Sequence, residues 1–217
     1  MKADVLVLPI VGEPAFDGPL GELDRRAGGE LRALASFGEL RARRFTSALA
    51  APGELGATRI LTISAGAAAD LDRETVLHVG AAAQHRLGGR HASRVAIWLT
   101  PLADVLSGGV TAVAELVARG VVEGTFEPRT LYRDRAEVRT APPELDELIL
   151  VAPGGDAAAT QKAGERGVII GEGANHAKAL SNRAANDITP EVLAQEARDL
   201  AAKHDLFIDV IEPGRAR

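Results

Sequence analysis

Five histidines, His78, His85, His91, His176 and His204, are the side chains of this sequence best suited to metal or proton chemistry. His78 and His85 lie seven apart and can share one helix face, but a metal ion needs at least a third ligand. No His-x-x-x-His or Glu-x-x-His spacing supplies it, so ordinary surface or packing histidines are the simpler reading. The segment Val168-Ile169-Ile170-Gly171-Glu172-Gly173 imitates the opening of a dinucleotide-binding turn. That fingerprint requires Gly or Ala three residues after its second glycine, and His176 stands there. No Gly-x-x-x-x-Gly-Lys-Ser/Thr phosphate loop and no Gly-x-Ser-x-Gly nucleophile elbow occurs. Glu144, Asp146 and Glu147 form the densest carboxylate group; beside Pro142-Pro143, with no basic partner nearby in sequence, they read as a solvated loop rather than an acid–base pair. Arg41, Arg43 and Arg44 read as an exposed sheet edge, where charge discourages strand addition. Gly66 and the pair Gly154-Gly155 each follow an apolar run. Glycine there lets backbone amides approach an anion beyond a strand's carboxyl end, although a turn needs glycine just as well.

The elements that must hold these residues alternate in kind. Val5–Ile10, Arg59–Ser64, Val95–Leu99 and Leu148–Val151 are apolar runs of strand length. Between them lie three segments of helical period. The first runs from Leu20 to Ala35 with Leu23, Ala27, Leu31 and Leu34 in step. The second is capped by Asp70 and carries Val76, Val79, Ala83 and Leu87, and the third follows Ser107 with Val110, Val113, Val117 and Val121. This alternation predicts an α/β fold, a mainly parallel sheet flanked by helices on both faces. Its core should hold Val7, Ile60, Ile63, Val79, Ile97, Val113, Val117 and Ile149. Residues 126–143 are polar and read as a long connection or an irregular strand pair. From Asp156 a long helix with Ile169, Gly173, Ala177 and Leu180 in step leads to a polar connector. Thr189-Pro190 then opens a new helix, and Leu206–Ile211 reads as a strand.

Composition narrows the partners. Apolar residues make up 46 % of the 217 but aromatics only 3 %, so the core is aliphatic. A net charge of −5 gives nucleic acid or an anionic membrane no electrostatic purchase. The absence of cysteine suits a reducing compartment, and Val5–Val11, interrupted by Pro9, is too short to span a bilayer, so a cytoplasmic location is expected.

One stretch carries a family resemblance. Gly171-Glu172-Gly173-Ala174-Asn175-His176-Ala177-Lys178-Ala179-Leu180-Ser181-Asn182, followed by Ala185-Asn186-Asp187-Ile188-Thr189-Pro190-Glu191-Val192-Leu193-Ala194, resembles the domain junction of leucyl aminopeptidases. In that family the helix closing the N-terminal domain reads roughly EGxNxARDLxN and the catalytic domain opens with PxNxLTPxxLAxxA. Leu180, Asn182, Asn186, Thr189, Pro190, Leu193, Ala194 and Ala197 match. Upstream the likeness is looser. Val122–Phe126 sits where the family has GxYxF, Ser64-Ala65-Gly66 replaces its GLG, and Lys178-Ala179 replaces Arg-Asp.

The resemblance implies a macro-like N-terminal domain over 1–155, a linking helix and connector over 156–188, and the first helix and strand of an otherwise absent catalytic domain over 189–217. It further implies a non-catalytic assembly role, with the protein's own catalytic domain and a homo-oligomer, a hexamer in the family, as partners. Two divalent metals, zinc or manganese, would belong to the catalytic half, whose NTDAEGR segment has no counterpart here; no catalytic, cofactor-binding or metal residue is therefore assigned in this chain. The alternative is a stand-alone macro-like module that binds a nucleotide or ADP-ribose.

Overall fold

The computed structural model describes residues 2–211, 214 and 215, which fall into two compact units, residues 1–175 and 176–217. The first unit is built on a five-stranded sheet of β1 (Ala3–Val11), β2 (Ser47–Ala50), β3 (Ala57–Gly66), β4 (Arg94–Trp98) and β5 (Glu147–Val151). Spatial order is β2-β3-β1-β4-β5, with β2 antiparallel and every other pairing parallel. Helices α1 (Pro19–Arg26), α2 (Glu30–Phe37), α3 (Arg73–Arg86), α4 (Thr100–Ala103), α5 (Gly109–Glu123) and α6 (Ala157–Asn182) connect and cover the strands.

Strand periodicity assigns the two faces. Val5 and Val7 of β1 join Leu61, Ile63, Val95 and Ile97 beneath α3 and α5. Leu6, Leu8 and Ile10 point the other way, toward α1 and α2, with Ile60, Ala96 and Trp98. Of the eight expected core residues seven are fully enclosed; Ile149, on the edge strand β5, is half-buried.

Helix α3 starts two residues later than its sequence suggests. Asp72, not Asp70, is the N-cap, its Oδ1 accepting from the Thr75 amide at 2.7 Å. That bond to the anion, helped by Arg44, holds the Asp72 carboxyl below the usual carboxylate range. The helix then meets α5 at unusually close range. A Cβ on Gly80 would sit 2.5 Å from the Val117 carbonyl oxygen, and one on Gly120 would overlap the Leu77 carbonyl. Glycine here is a spacing requirement rather than a source of flexibility.

Several expectations need correction. The single helix over 20–35 is two, because Gly28 and Gly29 both adopt left-handed backbone and turn the chain. Buried Asp24 ties the pieces together, accepting from the Arg32 amide at 3.0 Å. The edge strand is Ser47–Ala50 rather than residues 41–46, which form bends and turns. Of the two alternatives for residues 126–143, the long connection is the one formed; it carries two short 3-10 turns, Pro128–Leu131 and Arg135–Glu137, and no strand. Helix α6 buries Thr160, Gly164, Gly167 and Gly171, whereas Ile169 is 68 % exposed. Its glycine face fits against α5: a Cβ on Gly171 would meet the Arg119 carbonyl at 2.9 Å.

The second unit holds α7 (Pro190–Lys203). Thr189 caps it by accepting from the Val192 amide at 3.4 Å, with Pro190 in the first turn, and Arg183 reaches Glu196 at 3.9 Å. Ala201 is its one buried residue; Leu193 and Leu200 are exposed. The expected strand at Leu206–Ile211 joins no ladder, and Phe207 is 95 % exposed. An apolar run becomes a strand only where a neighbour supplies the other half of each hydrogen bond. No helix among the described residues is long and apolar enough to cross a membrane.

Candidate functional site

In an open α/β sheet, ligands bind beyond the carboxyl ends of the strands. Here the carboxyl ends of β1 and β4 border a cavity of about 350 Å³. Its floor includes Ile10, Trp98 and Pro101, and three exposed carboxylates, Glu13, Asp17 and Asp104, stand around it. No Lys, Arg or His lines it. A second cavity of about 400 Å³ lies between α1 and the sheet, floored by Leu6, Leu8, Leu23, Leu55 and Val151. Trp98 and Pro19 border both. Trp98 is the final residue of β4 and the chain's sole tryptophan. Its strand parity turns it toward α1, which no motif signals.

The Gly66 and Gly155 amides are engaged within the chain. The Gly66 N–H donates to Ser64 Oγ at 3.3 Å and its carbonyl accepts from the Gly12 amide at 2.7 Å. The Arg44 side chain lies directly over it, its Cγ 2.7 Å from where a Cβ would stand, while the guanidinium donates to the Asp70 carbonyl at 2.6 Å. The Gly155 amide bonds back to the Ala152 carbonyl at 3.1 Å, closing a turn in which Gly154 is left-handed. A pyrophosphate in the cavity beyond β1 and β4 would face Glu13, Asp17 and Asp104 with no cationic side chain lining it, which is electrostatically unfavourable.

The other candidates separate. His78 packs edge-on against Phe45 with ring centroids 5.9 Å apart. Neither it nor His85 belongs to a metal-competent cluster, and no group of three or more His, Cys, Asp or Glu among the described residues could hold an ion. Of the carboxylate group, Glu147 pairs with Arg94 at 2.8 Å, across the β4–β5 pairing, and Glu144 with Arg135 at 3.5 Å, nine residues upstream. These are surface ion pairs rather than an acid–base dyad. Residues 168–173 lie inside α6, where Gly171 packs against α5 and Gly173 faces open space, so they form no phosphate turn. Asn175, within the junction motif, donates to the Val122 carbonyl at 2.7 Å and thereby ties α6 to the end of α5.

Residues 7–133 match the N-terminal domain of the cytosol aminopeptidase family. The chain belongs to that family. A probable cytosol aminopeptidase of Solibacter usitatus is 31 % identical over 212 residues, covering 98 % of this chain. The alignment spans only 40 % of that relative's length. Among solved structures, the bottromycin maturation enzyme BotP in complex with Mn superposes with a TM-score of 0.65 at 24 % identity, covering 93 % of this chain and 37 % of that one. A tomato leucine aminopeptidase mutant gives 0.65 at 22 %, covering 94 % and 40 %. The sheet also resembles an Oceanobacillus iheyensis macrodomain solved with ADP, with a TM-score of 0.51 at 13 % identity over 76 % of this chain and 84 % of that one. The cytosol aminopeptidase N-terminal domain thus has a macro-like α/β sheet.

Proposed function

We propose that this chain is the non-catalytic, assembly-bearing N-terminal domain of a cytoplasmic metallo-aminopeptidase that removes N-terminal residues from peptides. The observation that carries this reading is the family match over residues 7–133, in a chain that aligns with 40 % of a curated relative's length. We further assign residues 1–155 to the macro-like domain, 156–188 to the linker and 189–217 to the opening of the catalytic domain. The Thr189-capped α7, with Leu193 and Leu200 exposed, supports that boundary, since such a stripe is built to be covered. The catalytic domain of the same protein is the natural cover, and further copies of the chain complete a homo-oligomer.

The two divalent metals of such an enzyme do not fit the residues present. Two-metal hydrolysis needs converging carboxylates and a lysine to bind both ions and activate water, and the described residues gather no such set. No catalytic step is therefore assigned to this chain. The test is hydrolysis of leucine amide by highly purified protein, with added manganese or zinc. The expected result is no turnover above a host-protein control. Turnover that survives every purification step and vanishes on mutating this chain would overturn the proposal. The ADP-ribose alternative draws on the macrodomain likeness, but the acid-lined cavity and the engaged Gly66 and Gly155 amides weigh against it. Calorimetric titration with ADP-ribose is expected to give no saturable heat.

A further inference from the structure

The sheet ends at β5, and the bonds this strand makes fix the direction of its backbone groups. The Glu147 amide donates to the Ser93 carbonyl at 3.2 Å, and the Val151 carbonyl accepts from the Leu99 amide at 2.9 Å. Backbone groups alternate sides along a strand, so Glu147, Ile149 and Val151 face β4 while Leu148 and Leu150 face away from it. The outward N–H and C=O of Leu148 and Leu150 have no partner among the described residues. Nor is this edge covered. A cavity of about 520 Å³ between β5 and α6 is bordered by Glu147, Leu148, Ile149 and Leu150 in succession. Consecutive strand residues point to opposite faces, so a space that touches all four runs along the strand's edge. It continues toward the end of α5 as a space of about 680 Å³ that shares Glu147, Leu148 and Val168. No lysine, proline or register break interrupts β5, although these are the usual deterrents to strand addition.

We propose that the free edge of β5 takes up an extended, basic segment of a partner protein as a sixth strand. Leu148 and Leu150 supply two donors and two acceptors, which fix the register of the added backbone. The groove wall of Ala118, Gly164 and Val168 is apolar and made of small residues, so every second side chain of the added strand is apolar. Charge decides the others. Glu144, Asp146, Glu147, Glu165 and Glu172 border the groove, against the single guanidinium of Arg135. Arg135 and Arg94 offset Glu144 and Glu147, while Asp146, Glu165 and Glu172 have no cationic partner among the described residues. The intervening side chains of the partner are therefore lysine or arginine. The same surplus of carboxylates disfavours the β5 edge of a second copy, which would bring like charges together. The proposal goes beyond the reading above and does not depend on it, since it uses only this domain's edge strand and groove.

The probe is the peptide acetyl-Lys-Val-Arg-Val-Lys-Val-Arg-amide, labelled for fluorescence anisotropy and titrated with the chain at neutral pH. Saturable binding is expected, and the counterpart with Glu at every basic position is expected to bind about tenfold more weakly. The double variant Glu165→Lys, Glu172→Lys changes only exposed side chains of α6 and is expected to lose about the same factor for the basic peptide. Residue-resolved hydrogen exchange reads the geometry itself. In the free chain the Leu148 and Leu150 amides are expected to exchange faster than those of Ile149 and Val151, which already bond to β4. Saturation with the basic peptide is expected to slow the first pair about tenfold and leave the second unchanged. Absence of saturable binding, equal binding of the acidic peptide, full affinity in the double variant, or Leu148 and Leu150 amides that the peptide does not protect would each overturn the proposal. So would a dimer in sedimentation whose Leu148 and Leu150 amides are protected without peptide, because a second copy would then be the occupant.

Discussion

Gly120→Ala and Gly173→Ala make the same chemical change in two helices of one unit and should move stability in opposite directions. At Gly120 the new methyl would overlap the Leu77 carbonyl oxygen and lie 2.9 Å from its carbon and 3.1 Å from the Ala81 nitrogen. These are backbone atoms of α3, so no side chain can rotate to make room. Relief requires α3 and α5 to separate, which loosens Val76, Val79, Val113, Val117 and Val121. Overpacking of this kind costs about 3 kcal/mol at the upper end of the usual range. The better helix propensity of alanine returns about 1 kcal/mol, leaving a net loss of about 2 kcal/mol. For a chain of this size that lowers the unfolding midpoint by roughly 4–8 °C. At Gly173 nothing lies within 4 Å of the added methyl, so only the propensity gain of about 1 kcal/mol remains, raising the midpoint by roughly 2–4 °C. Thermal unfolding followed by far-ultraviolet circular dichroism, with urea unfolding as a second measure, resolves both shifts. A Gly120→Ala protein as stable as wild type would refute the claim that this helix spacing depends on glycine.

Three further outcomes are expected. Glu127, whose carboxyl the Arg129 guanidinium holds down at about 2, is stabilising while ionised. Its contribution is present above the ordinary value of 4.5 and disappears as pH falls toward about 2, so acid titration of Glu127→Gln should show a flatter stability loss than wild type between those limits. Asp72→Ala removes the cap on the Thr75 amide and should cost about 1 kcal/mol in urea unfolding, while Asp70→Ala, two residues earlier, should cost much less. Hydrogen exchange in the dilute chain should be faster at residues 190–211 than at Ile60–Ile63, since α7 buries only Ala201 whereas β3 is enclosed by β1 and β2.

The four parallel strands were legible because each is a continuous apolar run closed by turn residues, and α3 and α5 because valines recur at helical spacing. Where the reading slipped, the deciding interaction was one that apolar periodicity does not register. The face of α6 was assigned to Ile169 because the pattern follows bulk, yet its contact surface is Gly164, Gly167 and Gly171, chosen for lack of bulk. Edge strand β2 was displaced because Ser47–Ala50 is short and made of small residues, while its anchor is Thr62, whose hydroxyl both accepts from the Ala48 amide and donates to its carbonyl. At the strand ends, the glycine-based expectation missed Trp98, Glu13, Asp17 and Asp104. Their assembly depends on the β1–β4 pairing, a contact across about ninety residues that one-dimensional spacing cannot convey.

That pairing also sets the order in which the chain can be protected during synthesis. Strand β1 is the first made, yet both its neighbours, β3 and β4, come much later. At common elongation rates the run Val5–Val11 waits roughly 5–20 s before β4 exists to cover its second edge. An apolar heptad left uncovered for so long is a nucleus for aggregation unless something interrupts it. Pro9 stands inside the run, opposite Ile63 in the finished ladder, where it forgoes an amide donor in a central strand. In the nascent chain the same missing N–H denies a stray partner a complete set of bonds. Pro9, which forgoes a donor in the folded sheet, is thus expected to lower the aggregation tendency of the unpaired strand during synthesis.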